Sequence, residues 1–122
     1  MTRIELTHVV AADAPSVALV LAGPAARDLW PCGSEATPAY DITVDPPSRA
    51  GVGFTARMTV TVGADKVGSG RLTIVPIAGA NGRCEVRLSL TAAEGAGRRL
   101  HRIASEYVQN VGEVSRARST AA

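Results

Sequence analysis

Few side chains in this 122-residue chain are equipped for chemistry: two imidazoles, His8 and His101, two thiols, Cys32 and Cys84, and two phenols, Tyr40 and Tyr107. An imidazole titrates near neutral pH and can pass a proton in either direction. His8 falls on the inward phase of an extended segment, where it would act as a general acid or base toward a bound molecule or, in the commoner use of such a residue, as a hydrogen-bonded core histidine. His101 stands beside Arg98 and Arg102 and reads as solvated. No His-x-x-x-His or Cys-x-x-Cys spacing occurs, which argues against a transition-metal site. Cys84 follows an inward alternation and has no nucleophile motif around it, so it reads as a small buried hydrophobe. Gly51-Val52-Gly53 and the stretch 63–70 lack the following helix and terminal Lys-Ser/Thr of a phosphate loop. Tyr40 and Tyr107 each join an aromatic body to a polar tip, which suits orienting a ligand in an apolar pocket and equally suits ordinary core filling with the hydroxyl at the rim.

The elements that must position these groups follow from periodicity. Ile4, Leu6, His8 and Val10 share one side of an opening strand. Asp13 is an N-cap for a short helix in which Pro15 sits in the first turn, Val17, Val20 and Leu21 form the apolar stripe, and Gly23-Pro24 is the stop. A second helical piece is expected over 24–29, ended by Pro31. Alternation then returns at Tyr40, Ile42 and Val44, and is clearest from Val52 through Phe54, Ala56, Met58, Val60 and Val62. Another extended run covers about 70–77, and Cys84, Val86, Leu88, Leu90 and Ala92 alternate after the turn at 79–82. Short turns between alternating strands predict an antiparallel meander with one wet face. Leu100, Ile103, Tyr107, Val111 and Val114, spaced by three and four, predict an amphipathic helix over 97–116. The residues after it, from Ser119, are expected to fray.

Composition bounds the class. With 46% apolar and 20% charged residues the chain suits a single globular domain spanning 1–122. A net charge of +2 makes neither nucleic acid nor an anionic membrane the default partner. Arg57, Arg71, Arg83 and Arg87 take outward strand positions and read as a solvated sheet face. The longest apolar run, Val17 to Ala26, is interrupted by Gly23-Pro24 and falls far short of the roughly 20 residues of a membrane span. Two cysteines allow no dense disulfide framework, and both are expected to be reduced in a cytoplasmic protein.

The order of strand, two short helices, meander and long last helix resembles the helix-grip fold of the START-like, or SRPBCC, superfamily, which includes polyketide cyclase/dehydrase-like proteins. The likeness is carried by the strand Ile4 to Val10, Ala14-Pro15, Leu29-Trp30-Pro31, Gly51-Val52-Gly53 and the helix from Gly97 to Val114. It implies an α+β fold, an antiparallel sheet of five or more strands wrapped on the C-terminal helix, with an apolar cavity between them for a small hydrophobic or lipid-like molecule. About five strands are countable where such folds usually have six or seven, so a hairpin after Val62 is expected to be missing, leaving the cavity small, open or completed by a second copy in a homodimer. By phase, Leu6, His8, Tyr40, Phe54, Met58, Cys84, Leu88, Ile103 and Tyr107 are expected to line one interior as the ligand-binding residues. No cofactor and no metal is expected. Non-catalytic binding is the leading expectation; a cyclase or dehydratase using His8 with Tyr40 or Tyr107, and a protein-interaction module, are the alternatives.

Overall fold

The computed structural model describes residues 2–23, 41–79, 82–95 and 97–121, the side chains of the last three excepted. The expected second helix, together with Trp30, Cys32 and Tyr40, lies outside the described residues. The chain runs β1 (Thr2–Val10), α1 (Ala14–Ala22), β2 (Asp41–Val44), β3 (Ser48–Ala50), β4 (Gly53–Val62), β5 (Asp65–Pro76), β6 (Cys84–Ala92) and α2 (Gly97–Ala121). Every pairing is antiparallel, in the order β1-β6-β5-β4-β2, and β3 also pairs with β4.

Among the described residues there are therefore six strands rather than about five. The additional strand, β3, is three exposed residues long, too short to show alternation. β5 also begins at Asp65, before the expected start near 70, so a hairpin through Gly63-Ala64 follows Val62 directly. Its early part was illegible because the register slips between Val60↔Gly68 and Thr61↔Lys66, a bulge that breaks the two-residue period. Glycine at 68 and 70 removes the apolar side chains that would mark the inward phase.

Gly70 also lets β5 and β6 approach closely. A Cβ there would lie 1.9 Å from the carbonyl oxygen of Ser89 in the adjoining strand, a backbone approach closed to any other residue.

Helix α1 starts where its cap dictates. The Asp13 side chain accepts a hydrogen bond from the Ser16 N–H at 3.1 Å, and Pro15 occupies a first-turn position that needs no N–H donor. Gly23 ends it, its N–H donating to the Val20 carbonyl at 3.2 Å. α2 runs past 116 to Ala121. Its buried face is Leu100, Ala104, Tyr107, Val108, Val111 and Ser115, with Ile103 and Val114 half-buried on the flank. Ser115 is tolerated inside because its hydroxyl donates to the Val111 carbonyl at 2.7 Å.

The seat of α2 is given by its glycines. Gly97 lies against Thr2, and Gly112 against His8 and Val10, so the helix runs in the same direction as β1 and along most of its length. α1 packs on α2 and reaches over to β4 and β5. Together the helices cover one face of the sheet and seal a core that includes Val17, Leu21, Leu72, Ile74, Leu90 and Leu100. Each such side chain contributes roughly 1.5–3 kcal/mol by leaving water.

Candidate functional site

The inner face is built by register. Ile4, Leu6, His8 and Val10 of β1 stand opposite Leu90, Leu88, Val86 and Cys84 of β6. Leu88 in turn faces Leu72 of β5, and Leu72 faces Ala56 of β4, while Phe54 faces Ile74 and Met58 faces Gly70. From Phe54 to Val60 in β4, Gly68 to Ile74 in β5, and throughout β1 and β6, the positions in this phase are apolar or glycine except Thr2 and His8.

The residues singled out from the sequence divide into two groups on this surface. Met58, Cys84, Leu88 and Tyr107 are sealed in the core. Leu6, Phe54 and Ile103 pack against that core but stay half-buried, as does His8. Tyr40 lies outside the described residues.

Local chemistry differs sharply among them. The hydroxyl of Tyr107 is closed off from solvent, and burial pushes its pKa up to about 12. Cys84 is a free thiol pushed up to about 11, first by burial and second by the carboxylate of Asp13 at the start of α1. A phenol held neutral and a thiol held protonated serve for hydrogen bonding and packing at neutral pH; neither is a ready base or nucleophile.

His8 sits at the seam between β1 and α2. A Cβ on Gly112 would come within 3.2 Å of its Nε2 and Cδ2, so the glycine is what gives the imidazole room. With Val10, Gly112, Glu113 and Arg116 it lines a depression of about 260 Å³, placing a titratable ring beside one carboxylate and one guanidinium. Sequence reasoning did not find these neighbours, because Glu113 and Arg116 belong to the polar side of α2 and Gly112 has no hydropathy signal. Nor did it find Arg49, whose guanidinium carbon lies 5.8 Å from the centre of the Phe54 ring in a cation–π arrangement. Arg49 belongs to β3, opposite Phe54 in register.

Among the described residues, no three His, Cys, Asp or Glu side chains cluster as metal ligands would. No described helix is long and apolar enough to cross a membrane.

No protein-family model and no curated protein matches the sequence. Solved structures do match the fold. A conserved protein from Geobacillus kaustophilus superposes with a TM-score of 0.68 at 12% identity, covering 93% of this chain and 95% of its own. The Zhui aromatase/cyclase from Streptomyces sp. R1128 gives 0.58 at 14% identity over 96% of this chain and 94% of its own. A START superfamily protein from Mycobacterium smegmatis gives 0.51 at 13% identity over 97% of each chain. Identities this low speak for architecture alone, and with six antiparallel strands among the described residues gripping a long last helix the chain has the START-like, or SRPBCC, helix-grip fold.

Proposed function

We propose that the chain binds a small apolar, aromatic or lipid-like molecule between the inner face of its sheet and α2. The observation that carries this reading is the half-burial of Leu6, Phe54 and Ile103, with His8, against a core whose Met58, Cys84 and Leu88 are sealed. Large apolar side chains left partly wet at the margin of a core gain free energy when an apolar ligand covers them, at about 25 cal/mol per Å². Met58, Cys84 and Leu88 would form the floor beneath the ligand. His8, Tyr107 and Tyr40 are assigned as the polar groups that orient it, in the manner of pockets that are mainly apolar with a few placed donors and acceptors. The neighbours' architecture supports the same reading, since the Zhui structure is an aromatase/cyclase.

Thermal-shift screening with fatty acids, sterols and aromatic polyketides tests it. A ligand present at 100 times its dissociation constant should add about 2.7 kcal/mol of stability. Leu6→Trp and Ile103→Trp, which fill the half-open positions, are expected to abolish the shift without unfolding the protein. If no compound in these classes moves the melting temperature of the wild-type chain, the reading fails and the interaction-module alternative takes its place.

A further inference from the structure

We propose that the outer face of the sheet carries a second, independent site for a small polyanion bearing two or more phosphate groups. Arg57 of β4 and Arg71 of β5 stand directly opposite each other in the antiparallel register, and both are exposed. Like charges in that relation repel and weaken the pairing. The pairs on either side are Thr55↔Thr73 and Thr59↔Ser69, so two guanidinium groups sit within a frame of hydroxyls. Among the described residues, neither arginine has an ion-pair partner. Arg87, on the same face, is instead paired with Glu85.

These two arginines, with Arg3 and Lys66, line a groove of about 580 Å³ that has hydroxyl groups and no carboxylate on its walls. Arg3 is partly neutralised by Glu5 at 3.1 Å. A smaller depression of about 380 Å³ adjoins through the same arginine pair and holds Asp45, which makes no ion pair with either arginine. Planar guanidinium forks bind tetrahedral oxyanions through paired charge-assisted hydrogen bonds, and serine and threonine hydroxyls donate to the oxygens left over. Four cations around one groove exceed what a single phosphate would use. No aromatic side chain lines the groove, so there is no platform for stacking an unpaired base, and a single nucleic-acid strand is a poor fit.

Calorimetric titration of the purified chain with inorganic tripolyphosphate at low salt tests the proposal, with melting temperatures measured in parallel. Saturable binding that weakens as salt is added is expected. Arg57→Thr/Arg71→Thr should bind about tenfold more weakly or worse while melting at or above the wild-type temperature, because the repulsion is relieved. Arg87→Thr should bind as the wild type does. The proposal is overturned by the absence of saturable binding, by equal affinity in the double variant, or by equal loss in Arg87→Thr. Tighter binding to random-sequence duplex DNA than to tripolyphosphate, lost in the same double variant, would overturn it in favour of a nucleic-acid face.

Discussion

At the scale of single residues, the buried phenol and thiol make alkaline pH a probe of the core. Tyr107 is raised from 10.0 to about 12 and Cys84 from 9.0 to about 11. Both shifts mean that the folded state holds its proton more tightly than the unfolded state does. Their contribution is whole below about pH 9, and stability falls as pH rises from 9 toward 11 through Cys84 and from 10 toward 12 through Tyr107. The loss attached to Tyr107 is of order 2 kcal/mol. Denaturant midpoints followed from neutral to alkaline pH should therefore decline more steeply for the wild type than for Tyr107→Phe. Tyrosinate absorbance that develops in full near the ordinary value while the protein remains folded would contradict the burial of Tyr107.

At the scale of elements, legibility followed side-chain volume. β4 and β6 keep an apolar residue at every inward position, and those residues were read from the period alone. β5 was half read, because its bulge and its two inward glycines erase the period where the strand begins. In α2 the apolar stripe was drawn through Ile103 and Val114, yet the close packing also uses Ala104, Gly112 and Ser115, small residues that hydropathy does not flag. Small residues decide how near the helix comes to β1, and they do so silently in the sequence. Two substitutions separate these contributions in urea unfolding. Leu100→Ala, at the fully buried start of the α2 stripe, should cost about 2–5 kcal/mol as a cavity. Gly70→Ala adds only one carbon, but that carbon meets the Ser89 carbonyl at 1.9 Å, and it should cost about 2 kcal/mol or more through backbone displacement. A near-wild-type midpoint for Leu100→Ala would mean that α2 is not docked as described, and one for Gly70→Ala would remove the close approach of β5 to β6.

At the scale of the molecule, the sheet divides two environments: an apolar inner face closed by α1 and α2, and an outer face on which Arg57 and Arg71 are held together against their own repulsion. The fold was open to sequence reading because it depends on the order of periods. The site was less so, since membership of a face follows from alternation, whereas the degree of burial that separates Leu6 from Leu88 depends on where the helices settle. Binding at the inner face is best judged by native mass spectrometry of freshly purified protein, wild type beside Ile103→Trp. The expected spectrum shows the wild-type chain carrying an additional small mass that denaturing solvent removes and the variant lacks. A wild-type chain found only at its own mass, and still unaltered after incubation with fatty acids, sterols and aromatic polyketides, would contradict ligand binding between the sheet and α2.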